Sequence, residues 1–155
     1  MDVASLRQSI GIHTQALGKN LEGITHEKSL IQPPDGANCI NWVAGHILFF
    51  RNDLHALLGA EPAWSDERMK RYDRGSAPIT DPADALPFDE LRAGLEKSIA
   101  AMAAAAEAMD PARLAEPAAK GTVGDRLSFL LFHETYHIGQ FGVLRRTAGL
   151  PGALG

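Results

Sequence analysis

His133 and His137 stand four residues apart in the run Phe132-His133-Glu134-Thr135-Tyr136-His137-Ile138-Gly139-Gln140. On an α-helix two side chains at that spacing lie one above the other, about 40° apart around the axis, so their imidazoles can close on one divalent metal ion. Both fall on the inward stripe of an apolar segment, through Val123, Leu127, Leu130, His133, His137, Phe141 and Leu144. A neutral imidazole has one donor and one acceptor, and leaving either unpaired in a core costs on the order of 1–3 kcal/mol. Two stacked histidines there require something polar between helices, and a metal ion satisfies both.

Two more histidines sit on inward stripes. His46 follows the spacing Cys39, Val43, His46, Phe50, Leu54, Leu57, and His13 fills the one gap in Val3, Leu6, Ile10, Leu17, Leu21, Ile24. Three neutral histidines with a position left open are a known form for a catalytic divalent metal. Such a site lowers the pKa of water toward about 7 or holds a thiol as its thiolate, so hydrolase and thiol transferase are two uses of one arrangement. His13 is open between a fourth ligand, a donor to a ligand and a wall of the cavity.

Glu134 completes the pattern H-E-x-x-H, in which the glutamate is a general base. It has two readings, a solvated carboxylate on the helix surface, or a catalytic base or partner to a ligand. Gln140 lies within about 20° of His133 on the helical wheel and is a candidate to line the pocket, as is Tyr136 through its hydroxyl. His55, nine residues from His46 and about 180° round the helix, is expected to face solvent. Asp53 reads as a solvated or salt-bridged carboxylate near the helix end, and Cys39 as a small buried hydrophobe.

Four long helices must position these groups. The first starts at the cap Asp2 and carries its stripe to Ile24; Pro33-Pro34-Asp35-Gly36 then turns the chain. The second is expected from a cap at Asn38 to Leu58, before Gly59. Ala60 to Leu86 reads as a long connection with one short turn near Ser65–Tyr72, and about 27 residues is long enough for a crossover or a lid. The third helix, Phe88 to Met109, is alanine-rich and carries no histidine, so its role is structural. Thr122-Val123-Gly124-Asp125 has capping-box spacing for the fourth, which Gly149-Leu150-Pro151-Gly152 stops. The fold class is all-α, a four-helix bundle in up-down-down-up order with its long connection between helices two and three.

Asn41-Trp42-x-x-Gly45-His46, then His133-x-x-x-His137-x-Gly139-Gln140 and Leu144-Arg145-Arg146, resembles the DinB-like (DinB/YfiT) superfamily of small metal-binding four-helix bundles. The resemblance covers essentially the whole chain. It implies a metal held by His46, His133 and His137, with zinc or nickel most often proposed and water completing the shell. It implies a thiol-dependent S-transferase, an isomerase or a hydrolase, with a low-molecular-weight thiol such as bacillithiol or mycothiol as cosubstrate, and a homodimer.

The chain of 155 residues suits one domain, 1–155, with 45% hydrophobic and 22% charged residues. A net charge of -4 gives no electrostatic reason to expect nucleic acid. No apolar run reaches the roughly 18 residues of a membrane span. Met1-Asp2-Val3-Ala4-Ser5 has no signal-peptide character and the single cysteine cannot form an internal disulfide, so a cytoplasmic location is expected. The leading reading is a metal-dependent transferase or hydrolase acting on a small electrophile. The rivals are a non-catalytic metal-binding or stress-response protein, and a bundle whose histidines serve internal hydrogen bonds alone.

Overall fold

Asp2 accepts the amide of Ser5 at 2.7 Å and opens α1 (Val3–Leu21). In the computed structural model, which describes residues 1–34, 36–65 and 67–153, the expected run to Ile24 stops three residues early. There Gly23 takes φ 71°, a left-handed turn that ends a helix cheaply only at glycine. Thr25 then caps a single turn, α2 (His26–Ser29), which the sequence concealed because four residues show no periodicity. Asp35 of the following turn lies outside the described residues.

α3 (Ile40–Leu58) begins one residue later than expected: Cys39, fully buried, takes the cap position without a side-chain bond in place of Asn38. Gly59 at φ 73° closes the helix. The connection that follows holds two short 3-10 turns, Glu67–Tyr72 and Pro82–Asp84. α4 (Phe88–Ala108) is followed by a 3-10 turn at Pro111–Ala115. Thr122 and Asp125 cap α5 (Val123–Thr147) reciprocally, as their spacing required.

The described chain is all-helical, with no strand beyond an isolated bridge between Pro117 and Thr122. Each long helix packs on two others, α1 and α3 each touching both α4 and α5. The core divides into two apolar clusters. One joins Leu17 and Leu21 of α1, Val43 and Ile47 of α3, Leu91 of α4 and Phe141 of α5. The other joins Leu6, Leu54, Met102 and Leu127 of the same four helices. Between them lies a polar layer of His13, Arg51, His55, Ser98 and Glu134, all buried. Among the described residues no helix is long and apolar enough to cross a membrane.

His55 corrects the sequence reading. It is 2% exposed rather than solvated, because α4 covers the face of α3 opposite His46. The Glu61 carbonyl can only accept, so Nδ1–H donates to it at 2.6 Å, and Nε2 lies 2.9 Å from the Ser98 hydroxyl and 3.2 Å from the Ser98 carbonyl. Asp53, by contrast, is exposed as expected.

Candidate metal centre

The segment Asn41-Trp42-x-x-Gly45-His46 on α3 is a dock for the long connection. The Asn41 side-chain amide donates to the Leu86 carbonyl at 2.9 Å while its oxygen accepts the Tyr72 hydroxyl at 2.8 Å. Tyr72 lies across Gly45, where a Cβ would fall 2.2 Å from the ring, so only glycine lets the tyrosine lie flat on the helix. The Tyr72 carbonyl then accepts Nδ1–H of His46 at 2.7 Å, and Trp42 stacks on the imidazole with centroids 4.5 Å apart. A carbonyl has no proton to give, so this bond fixes the tautomer and leaves the Nε2 lone pair of His46 bare.

On α5, Nδ1 of His137 stands 2.8 Å from Oε1 of Gln140, which fixes the second ring in the same way. The Nε2 atoms of His133 and His137 are 3.1 Å apart. Two imidazole nitrogens at about 2.0–2.1 Å from one tetrahedral zinc would be about 3.3 Å apart, so the pair is already at ligand spacing. One ligand nitrogen from each of His46, His133 and His137 lies within 4.8 Å of the others. The donor set fits a divalent ion with three histidine ligands.

Burial is the largest cause lowering each of the three pKa values. His46 is pushed down to about 4, burial and its two neighbouring histidines outweighing the Tyr72 carbonyl. His133 and His137 are lowered too; at His133 the His137 and Arg74 charges add to burial. All three rings are therefore neutral at pH 7, as metal ligation requires.

The cluster floors an open cleft of about 760 Å³, within the range of small-molecule sites. Trp42, Phe50, Phe129, Leu130 and Val143 make its walls apolar, and Gln140 and Tyr136 are among its lining residues. Tyr136 is 60% exposed, with its ring centroid 5.1 Å from that of His137.

His13 is not among the lining residues, which corrects its place as a pocket candidate. Its Nε2 is 2.8 Å from the Thr135 hydroxyl and its Nδ1 is 3.3 Å from Glu134. Periodicity put it on the buried face correctly but could not say which neighbour that face meets. Glu134 is 3% exposed, which overturns the solvated reading. Its two oxygens take Arg51 Nη2 at 2.7 Å and Nε at 3.2 Å, and Arg51 Nη1 donates to the Leu95 carbonyl at 2.7 Å. Burial works to raise the Glu134 pKa, and the Arg51 charge with the Arg51 and His13 contacts overcomes it, holding the carboxyl at about 2.

Three residues around the centre were not singled out from the sequence: Arg51, Tyr72 and Arg74. Arg51 had a signal, a lone cation between apolar residues of a core helix. Arg145 is 5% exposed and donates to the carbonyls of Asn20 and Glu22, both at 2.6 Å, tying α5 to the end of α1. The family model of the DinB superfamily matches residues 12–141, a span that holds all three histidines. No curated protein matches the chain.

Proposed function

Because the chain belongs to the DinB superfamily, we propose that it is a divalent-metal enzyme, a thiol-dependent S-transferase or a hydrolase, with His46, His133 and His137 as ligands and zinc or nickel as the ion. The observation that carries this reading is the convergence of three neutral ring nitrogens at the floor of a cleft large enough for a substrate. A closed, cleft-less site would have favoured storage or a structural metal.

A bound divalent ion would supply Lewis acidity, favouring a thiolate or a more acidic water at neutral pH. The chain's own residues do the rest. The Tyr72 carbonyl and Gln140 hold two imidazoles in the ligating tautomer before the site fills. The aromatic walls take the apolar part of an electrophile and exclude water around it. Glu134, engaged with Arg51 in the layer beneath His133, is assigned the part of holding α5 in register rather than that of a base.

We take the architecture as an up-down-down-up bundle. The order of contacts supports it: Arg51 meets Leu95 and His55 meets Ser98 in the same sense along α3 and α4, whereas Phe50 meets His133 and His46 meets His137 in the opposite sense along α3 and α5. A homodimer is proposed on the exposed stripe Phe129, Phe132, Tyr136, Val143 of α5, which borders the cleft, so that a second copy would help close it.

Metal content of untagged protein, wild type against the double variant His133→Ala/His137→Ala, tests the reading. About one equivalent in the wild type and none in a folded variant supports it, and a screen of thiols with electrophiles follows. No uptake by the wild type after incubation with zinc and with nickel sinks it, and uptake without turnover in the screen leaves the non-catalytic metal-binding protein.

A further inference from the structure

Among its described lining residues, the cleft over the three histidines has one cation and no carboxylate. That cation is Arg74, in a protein whose net charge is -4. It sits at the second position of a turn from Asp73 to Ser76, closed by Ser76 N–H donating to the Asp73 carbonyl at 3.1 Å, with Gly75 at φ 81°. The turn is held at both ends. Its preceding residue, Tyr72, accepts His46 through its carbonyl, and Ser76 Oγ accepts the Trp42 indole N–H at 3.0 Å. The segment that orients a metal ligand thus also carries Arg74 to the cleft.

Nothing among the described residues engages the Arg74 guanidinium: its backbone N–H is bonded to Asp73, whereas the neighbouring Arg71 donates to the Ala77 and Pro78 carbonyls. A forked five-donor cation left unengaged beside a metal cleft with apolar walls suits a planar anion that accepts two parallel bonds.

We propose that Arg74 is the anion-binding residue of this cleft, and that the site takes a small molecule pairing a carboxylate with an apolar body. The proposal rests on the cleft being the functional site. The apolar body lies against Trp42, Phe129, Leu130 and Val143, and the carboxylate at Arg74. Either the electrophile or the thiol cosubstrate brings that carboxylate.

Zinc-loaded wild type, R74Q and R74K are titrated calorimetrically with hexanoate against hexanamide, and with 3-mercaptopropionate against 2-mercaptoethanol. Zinc content and circular dichroism are measured on each sample. R74Q should keep its zinc and its helicity and bind at least one of the two carboxylates about tenfold more weakly, with the neutral analogues unchanged and R74K intermediate. The loss should shrink at high salt. Weakening of hexanoate puts the carboxylate on the electrophile, and weakening of 3-mercaptopropionate alone puts it on the thiol; both support Arg74. Equal affinities in wild type and R74Q, or no carboxylate binding by wild type, overturn it. A wild type that takes up no zinc fails the metal reading instead, and the same titrations on metal-free protein then decide Arg74 separately.

Discussion

At the scale of single residues, the sharpest commitment is the buried pair Arg51–Glu134. Two charges taken out of water gain little over an apolar pair, but removing one partner strands the other, at a cost of about 3–5 kcal/mol. Glu134→Gln should therefore lower the free energy of urea unfolding by about that amount. A loss below about 1 kcal/mol would mean that the pair is hydrated. The same carboxyl sets an acid limit. Its folded pKa of about 2 is below the ordinary 4.5, so its contribution is complete above pH 4.5 and is lost as pH falls toward 2. The size is on the order of 3 kcal/mol. Unfolding curves taken from pH 6 to pH 2 should show stability falling in that window for wild type, with a much shallower fall for Glu134→Gln.

At the scale of elements, the two halves of the centre are built differently. α5 would supply the proposed ligand pair by periodicity alone, needing only a helix. α3 carries His46 and, around it, the residues that seat the connection: Asn41 for the Tyr72 hydroxyl, Gly45 for the ring, Trp42 for Ser76. Gly45→Ala would put a methyl group within the Tyr72 ring, so it should cost about 3 kcal/mol by overpacking, despite the better helix propensity of alanine. Because Tyr72 must move, His46 loses the acceptor that orients it, and zinc affinity measured by competition with a chelator should fall about 10–100-fold. Unchanged zinc affinity in that variant would separate the connection from the metal site.

At the scale of the molecule, the two apolar clusters reach both ends of the bundle without the three histidines. Chelation should therefore leave the far-UV dichroism of a folded helical protein, while Tm falls by several degrees because the ion binds only the native state. Collapse of helicity on chelation would make the metal a folding element instead. The stripe of Phe129, Phe132, Tyr136 and Val143 makes a second expectation at this scale: light scattering at micromolar concentration should give a dimer for wild type and a monomer for Phe132→Glu. Phe132 is 69% exposed, so the variant has no folded-state reason to unfold. A monomeric wild type would leave the stripe without its proposed partner.

The four long helices and the inward placing of His46, His133 and His137 were legible in the sequence, because apolar spacing at three and four residues records which face avoids water; singling out those three as ligands came from the family resemblance. So was the capping box of α5, since its chemistry is local. What faces that buried side was not legible. His13 and Glu134 were on or near the right faces, yet only tertiary packing brings them to Thr135 and Arg51 rather than to the cleft. His55 failed for the same reason: a helical wheel assumes one wet side, and α3 is covered by α4, α5 and the connection. Spacing along one helix is a property of the chain, whereas the partner across a helix interface is fixed by non-local contacts, and those decided what each polar group does.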